Sequence, residues 1–310
     1  MFAPDKECIA KETASAPNST LPPDLRRIAE EELGETDTAR EKAVAHLREL
    51  LAAEEPELRP RTDENFLLRF IRVRKYDVEA ALNTIKNYYR NRAACPSIYD
   101  DFLPSKVSPV ARSLFMVLPE RDVHGRLVLL AKAGSWMPST LPYREFQQTT
   151  LMCFERMADD PSAQTAGIVF LVDYQDFTPE KVFYYSIGLI RRAIEFLQDC
   201  LPARMKAFHA VRQSYAFNIL FGLVRPFMKK KLADRIHLHG HNFENLHKEI
   251  PPSILPEEYG GDVPSLDFDA FWTEMEAQES SFVQNNSYGY SKKEQTAVFD
   301  QKDEVEITAL

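Results

Sequence analysis

Three histidines at alternate positions, His237, His239 and His241, have the spacing that most directly suggests chemistry. Alternate side chains of an extended strand share one face, and three imidazoles on one face could ligate zinc. The HxHxH pattern itself contains no carboxylate or cysteine, and Gly240 is expected to end the strand before His241. Structural histidines are therefore the favoured interpretation, and a zinc site stays open as the alternative.

Asp173 is the other isolated candidate, because it ends an apolar run where α/β folds often place functional groups. A lone aspartate in that position more often accepts backbone hydrogen bonds than acts as a general base. The sequence contains no GxSxG nucleophile motif and no GxxxxGK[ST] or GxGxxG phosphate loop. We therefore expect a binding protein rather than an enzyme, without a cofactor or a metal.

A nearly continuous apolar stretch, residues 214–224 (SYAFNILFGLV), stands directly before a cluster of cations. Its apolar side chains occupy more than one helical face, which is typical of a helix that is buried or touches apolar matter on two sides. Within residues 225–235 the single anion is Asp234, and the cations are Arg225, Lys229, Lys230, Lys231 and Arg235. Two interpretations remain open: a core helix before a solvated basic helix, or a movable apolar lid beside a docking patch for anionic lipid.

The composition restricts the class of protein. The 310 residues are enough for two domains, or for one large domain with an added module. A formal net charge of -9 argues against a general nucleic-acid binder. The cysteines are isolated and are expected to be free thiols: Cys8, Cys95, Cys153 and Cys200. Without a signal-peptide pattern or an apolar run of roughly 20 residues, we expect a cytoplasmic protein.

The elements that would position these residues fall into four segments. Residues 1–22 are predicted to be disordered, 23–95 to form a small all-helical module, 96–276 an α/β domain, and 277–310 a flexible tail. Thr62 and Asp77 are the expected N-caps of two helices in the module. Short apolar runs that alternate with helical patterns predict a mostly parallel sheet: RLVLLAKAG, AGIVFLVDY, ARMKAFHAV and RIHLHG.

Five stretches together resemble the CRAL-TRIO lipid-transfer family, in that family's order, over about residues 40–275. They are DENFLLRFIRVRKYDVEAALNTIKNYYRNR, GIVFLVDYQDF, LPARMKAFHAV, VRPFMKKKLADRIHLHGHN and ILPEEYGGD. The resemblance implies that a helical module precedes a lipid-binding domain. In that domain a mixed, mostly parallel sheet and its helices enclose an apolar cavity, which an amphipathic gate helix closes. Residues 214–224 match the gate.

The resemblance also implies site residues. The cavity lining would comprise Phe146, Thr149, Cys153, Ile168, Phe170, Val172, Ala193, Leu197, Leu201, Phe208, Phe217, Leu220 and Phe221. The contacts to a phosphoinositide head group would be Arg204, Lys206, Lys231 and Arg235, with Arg72 or Arg74 contributed by the helical module. Phe170 and Phe196 are bulkier than the family's tocopherol-binding member leads one to expect at these positions.

The implied function is an intracellular carrier of a small hydrophobic lipid, tocopherol-like or retinoid-like. It would exchange that lipid peripherally and reversibly at phosphoinositide-containing membranes, endosomal or plasma. A phosphoinositide-dependent trafficking adaptor is the alternative, since the last four residues, ITAL, have the form of a PDZ-domain ligand. A zinc-dependent α/β enzyme at His237 and His239 is the third hypothesis.

Overall fold

A five-stranded sheet forms the centre of the molecule in the computed structural model, which describes residues 21–290. The strands follow one another in chain order: β1 Phe115–Val117, β2 Leu127–Ala131, β3 Ile168–Asp173, β4 Met205–Val211 and β5 Ile236–Leu238. β1 is antiparallel to β2, and the other pairs are parallel. The predicted mixed, mostly parallel sheet is therefore present. The sequence pattern does not predict β1, because three residues are too few to show an alternation.

Strand β3 shows why the sheet is the core. All six of its residues are buried, as expected of a central parallel strand covered on both faces. Phe170 and Val172 face one hydrophobic cluster together with helix residues such as Phe154, whereas Val169 and Leu171 face a second cluster on the other side. The period of two along the strand thus assigns alternate side chains to separate cores.

Fifteen α-helices occur within residues 21–290. They are α1 Pro23–Ile28, α2 Asp37–Glu54, α3 Glu64–Val73, α4 Val78–Ala94, α5 Pro96–Tyr99, α6 Pro109–Arg112, α7 Tyr143–Ala158, α8 Pro161–Ala166, α9 Pro179–Val182, α10 Ile187–Glu195, α11 Tyr215–Val224, α12 Lys230–Ala233, α13 Glu244–His247, α14 Phe268–Ala277 and α15 Glu279–Asn286. Two π-helical segments, Ala29–Leu33 and Phe196–Cys200, follow α1 and α10 directly. None of the helices in this part of the chain is both long and apolar enough to cross a bilayer.

Helices α2, α3 and α4 form the predicted helical module around their own hydrophobic core. Asp77 caps α4 as expected, because its carboxylate accepts the Ala80 N–H at 3.0 Å. The cap of α3 is Asp63, which accepts the Phe66 N–H, and not Thr62. Both residues are good caps, and the one-residue difference is typical of helix ends.

The module is joined to the α/β domain through buried polar contacts. Arg69 of α3 is fully buried and donates to Glu155 of α7 at 2.9 Å. Glu155 also accepts the Tyr88 hydroxyl of α4 at 2.7 Å. Since a buried charge is tolerated only when it is paired, these contacts hold α7 against the module in one arrangement.

The C-terminal part of the described chain is ordered where the sequence predicts a flexible tail from residue 277. α15 follows α14 almost at once, and Phe282 is buried beside Phe102. Tyr290 joins the core of the module, and Gly289 pairs with Arg59. The tail prediction is thus wrong for residues up to 290, because a polar helix can be held by a few apolar anchors. Residues 291–310 lie outside the described residues.

At the other end, Leu21 is buried against Leu25 of α1 and Ala166 of α8. The predicted disordered segment, residues 1–22, therefore includes two described residues, Leu21 and Pro22. Residues 1–20, and with them Cys8, lie outside the described range. The other three cysteines, Cys95, Cys153 and Cys200, are buried.

Candidate functional site

An apolar cavity of ≈ 210 Å³ lies between the sheet and helices α7 and α10. Strands β2, β3 and β4 supply its floor, through side chains such as Leu129 and Phe170. Tyr143, Tyr174 and Tyr185 add aromatic rings to the wall. Burial raises the pKa of Tyr143 to about 12, so its phenol is neutral at physiological pH. The cavity can thus hold an apolar molecule and offers neutral polar groups at its wall.

The structure brings part of the predicted lining to this cavity: Phe146, Phe170, Val172, Ala193, Leu197 and Phe208. Four other predicted residues are buried in the same hydrophobic cluster or beside it but do not line the cavity: Thr149, Cys153, Ile168 and Leu201. The Thr149 hydroxyl donates to the Glu145 carbonyl at 2.8 Å. The residues of α7 that line the cavity are Tyr143, Phe146, Gln147, Thr150, Leu151 and Phe154. Successive helix residues are about 100° apart, so Thr149 and Cys153 each lie one step of rotation from Thr150 and Phe154, at the edge of this face.

Three nearly parallel phenyl rings form one side of the cavity. The Phe154 ring lies 5.0 Å from Phe170 and 6.3 Å from Phe196, with interplanar angles of 18° and 10°. Phe154 is missing from the sequence-based lining, although its i+4 and i+8 spacing from Thr150 and Phe146 places it on their face. Helical periodicity along α7 could therefore have found it.

The predicted gate is helix α11, Tyr215–Val224, and it lies one layer outside the cavity. Phe217 and Leu220 are buried against Phe177 and Ile190, and Phe221 is half-buried beside them. The Phe217 ring is 4.4 Å from that of Tyr174, which lines the cavity on its other side. The predicted gate residues thus close the cavity indirectly, through Tyr174, and do not line it.

The outer face of the same region is apolar and exposed. Tyr215 is 77% exposed, and Ile219 and Leu223 on the same helix are each 41% exposed. Phe183 and Ile187, which lie before and at the start of α10, are 85% and 64% exposed. We call these five residues the outer apolar patch. Pro226 follows α11 in a short 3₁₀ turn, Arg225–Phe227, so the helix ends where the sequence predicts.

A basic cleft of ≈ 200 Å³ lies next to the cavity. Arg74, Arg204, Lys231 and Arg235 line it, as predicted from the resemblance. Lys75 and Lys229 line it too and are absent from the predicted set. Arg74 is the C-cap of α3, and Lys75 follows it. Arg204 directly precedes β4, and Lys231 belongs to α12. Three distant parts of the chain therefore meet at this cleft.

Two cations of this cleft, Lys231 and Arg235, have a lowered pKa. Burial and the charges of Arg235, Arg74, Lys75 and Arg204 hold the pKa of Lys231 below its ordinary value. Burial and Arg204 do the same to the pKa of Arg235. A cluster of partly buried positive charges that repel one another is typical of a binding site for a polyanion.

Glu32 lies against one side of the basic residues. Its carboxylate accepts from Arg204 at 2.6 Å and from Lys206 at 3.1 Å. Although burial acts in the opposite direction, these hydrogen bonds hold the pKa of Glu32 below its ordinary value. Lys206 does not line the cleft itself but reaches it through this shared carboxylate.

Arg72 is the predicted contact that the structure places elsewhere. Its side chain is buried and donates two hydrogen bonds to Glu35, at 2.6 and 2.8 Å, and a third to Gln164 at 2.8 Å. All of its three donor nitrogens therefore have partners inside the protein. The geometry therefore contradicts Arg72 as a head-group contact, whereas Arg74, two residues further, lines the basic cleft.

The histidines lie on the opposite face of the sheet from the cavity. His209 Nδ1 and His239 Nε2 are 2.9 Å apart, and the His237 ring stacks on His209 at 5.1 Å. Burial and the two neighbouring histidines lower the pKa of His209 to about 3. No cluster of three His, Cys, Asp or Glu among residues 21–290 is arranged to hold a metal ion. The geometry does not support the zinc alternative.

Asp173 has a structural role at the end of β3. Its carboxylate accepts from the Gln175 N–H at 2.9 Å, the Arg212 Nε at 3.0 Å and the Tyr259 hydroxyl at 3.0 Å. Arg212 Nη2 is a fourth donor, so the carboxylate is fully engaged in structural contacts, as the sequence interpretation favours.

The cavity and the basic cleft share one wall. Leu197, in the π-helical segment Phe196–Cys200, lines both. π-helical turns are frequent at functional sites because the inserted residue interrupts the regular ladder. Any displacement of this segment therefore alters the apolar cavity and the cationic cleft together.

The sequence has clear relatives. Residues 111–261 match the CRAL/TRIO domain, and residues 36–106 match a Pinta-like UBA domain. An alpha-tocopherol transfer protein-like protein of Homo sapiens is 36% identical over 265 residues, which are 85% of this chain and 78% of that protein. Clavesin-1 of Rattus norvegicus is 31% identical over 251 residues, which are 80% of this chain and 71% of the length of clavesin-1.

The fold also has a match among solved structures. The crystal structure of Sfh5 superposes with a TM-score of 0.53, covering 76% of this chain and 92% of that chain. At 8% sequence identity this likeness concerns the fold alone. On the domain match and the extent of identity to these relatives, the chain belongs to the CRAL/TRIO lipid-transfer family.

Proposed function

We propose that this protein carries a small hydrophobic lipid, tocopherol-like or retinoid-like, and exchanges it at membranes that contain phosphoinositides. The carrier makes and breaks no covalent bond. The observation on which the proposal depends is the shared wall at Leu197, which couples an apolar cavity to a cationic cleft. Membership of the family and the similarity to tocopherol-transfer-like proteins support the same function.

The physical chemistry of release explains why the two sites should be adjacent. Each buried CH₂ of a ligand contributes about 0.8 kcal/mol, so a long apolar molecule leaves for water very slowly. A phosphoinositide head group would attract Lys231 and Arg235, and this attraction would bring the outer apolar patch against the bilayer. Release would then occur directly into lipid, at a peripheral and reversible membrane contact.

Native mass spectrometry with lipid extraction, on full-length protein expressed in a host with mixed lipids, tests the carrier. We expect one apolar lipid per chain, whose mass identifies its class. If no lipid binds in several hosts or after loading from vesicles, the carrier proposal fails. The trafficking adaptor would then be the better hypothesis; its candidate PDZ ligand, residues 307–310, lies outside the described residues.

The outer apolar patch gives a test of membrane docking. Ile219→Asp is expected to slow lipid transfer to phosphoinositide vesicles about tenfold, because a charge replaces a side chain that would enter the bilayer. Since Ile219 is 41% exposed, folding should be little affected. Transfer is measured as the dequenching of a fluorescent lipid.

Asn218→Asp is the matched control, since it adds the same charge at an exposed position of the same helix. Equal slowing by both variants would show a general charge effect, and docking through the patch would be wrong.

Glu32 gives a test of the cleft, since it competes with an incoming phosphate for Arg204 and Lys206. Glu32→Gln is expected to raise the affinity for phosphoinositide vesicles by up to about fivefold, as expected for loss of one partly exposed ion pair. Vesicle co-sedimentation measures the change. Glu31→Gln removes the same charge from the same π-helical segment at an exposed position, and it should leave the affinity nearly unchanged. An equal gain in both variants would contradict a specific role for Glu32.

A further inference from the structure

A second, much smaller chamber of ≈ 20 Å³ adjoins the apolar cavity. The two share Gln147, Leu151 and Phe196 as wall residues. A cavity needs roughly 10–15 Å³ to hold one water molecule, so this chamber accommodates one group of that size. The chamber therefore adds room for one small polar group to the cavity, at the end that faces the helical module.

The wall of the chamber is more polar than the wall of the cavity. Asn91 of α4 and Arg192 of α10 line it together with Leu151 and Phe196. The same two polar residues also line an open cleft between the module and α10. Phe196 borders all three spaces, at the first position of the π-helical segment Phe196–Cys200. The chamber is thus where the apolar interior meets a polar, solvent-facing groove.

The side-chain carbonyl of Gln147, which lines this chamber, is a hydrogen-bond acceptor without a donor in the described structure. Its Oε1 is buried and has no hydrogen-bond partner in the part of the chain that the structure describes. The neighbouring polar side chains of α7 are engaged: Gln148 donates to the Asp100 carbonyl, Thr149 to Glu145 and Thr150 to Phe146. Buried acceptors normally have a donor, and an orphaned one calls for an explanation.

We propose that the chamber binds the terminal hydroxyl of the lipid, which donates a hydrogen bond to Gln147 Oε1. This rests on the proposed carrier function and narrows the ligand class to an alcohol or a phenol. An aldehyde, an ether or a hydrocarbon of the same shape has no proton to donate and leaves the acceptor unpaired. A site whose buried polar group is satisfied by one ligand rejects the analogue that lacks the donor.

Competition between farnesol and farnesyl methyl ether, read by native mass spectrometry on the full chain, tests the subsite. Each probe has the same apolar body, and only the alcohol donates. We expect the wild-type protein to prefer farnesol about tenfold. Gln147→Leu should bind the two probes equally, and Gln147→Glu, which keeps an acceptor, should retain the preference. If the leucine variant fails to fold, Gln147→Met serves in its place.

Thr149→Val is the control, because Thr149 lies two residues away on α7 and its hydroxyl is already bonded within the helix. It should keep the wild-type preference. Equal binding of both probes by the wild type, or an undiminished preference in Gln147→Leu, would overturn the subsite and leave the carrier standing; the chamber would then hold only water. Failure to take up either probe would overturn the carrier and the subsite together.

Discussion

Replacing Arg72 by alanine is expected to lower the free energy of unfolding by about 3–5 kcal/mol. The substitution leaves the Glu35 carboxylate, which is fully buried, without its two hydrogen bonds from the guanidinium, and it removes a donor from Gln164. A buried charge without a partner is among the most destabilising changes a single substitution can make. Chemical denaturation, followed by circular dichroism, measures the loss.

Two controls separate a structural Arg72 from a head-group contact. Arg74→Ala, in the wall of the basic cleft, should cost little stability and should weaken vesicle binding instead. The double variant Arg72→Met, Glu35→Leu should regain much of the lost stability, because it leaves no unpaired charge. Normal stability of Arg72→Ala together with lost phosphoinositide binding would reinstate the original assignment.

Removing Lys231 and Arg235 together is expected to weaken binding to phosphoinositide vesicles on the order of 100-fold, since each charge-assisted hydrogen bond contributes about 1.5–3 kcal/mol. Both side chains line the cleft, and neither lines the apolar cavity. The affinity for the lipid cargo in solution should therefore stay nearly unchanged, whereas transfer to membranes slows. Vesicle co-sedimentation and a ligand titration report the two quantities separately.

Lys42→Ala with Arg59→Ala is the matched control, because it removes two exposed positive charges from the helical module. It should reduce vesicle binding only slightly. If cargo affinity collapses in the Lys231, Arg235 variant, the two residues support the cavity rather than a head-group site, and the cleft assignment is wrong.

The sequence alone predicts the elements whose causes are local. β3 is predicted because five consecutive apolar residues, followed by Asp173, suit a strand that is buried on both faces. Asp77 marks the start of α4, and Pro226 marks the end of α11, since each acts on the backbone beside it. The cations around residue 230 are likewise visible in the sequence, and four of the six predicted basic residues do line the cleft.

The lining of the cavity is predicted only in part, because it depends on helix rotation. An error of about 100° in the assigned face of α7, the rotation of one residue, exchanges Thr149 and Cys153 for Thr150 and Phe154. The gate residues are displaced for a different reason: Tyr174 lies between α11 and the cavity, and no pattern within residues 214–224 reports on a residue forty positions earlier.

What the sequence determined by itself is the class of fold, the family and the two kinds of surface, one apolar and one cationic. The tertiary structure decided which side chains meet. Arg72 and Arg74 are two residues apart and chemically identical, yet they point about 200° apart around the helix. One therefore meets the buried Glu35, and the other faces the cleft. That difference depends on contacts with residues far away in the chain, which local periodicity does not encode.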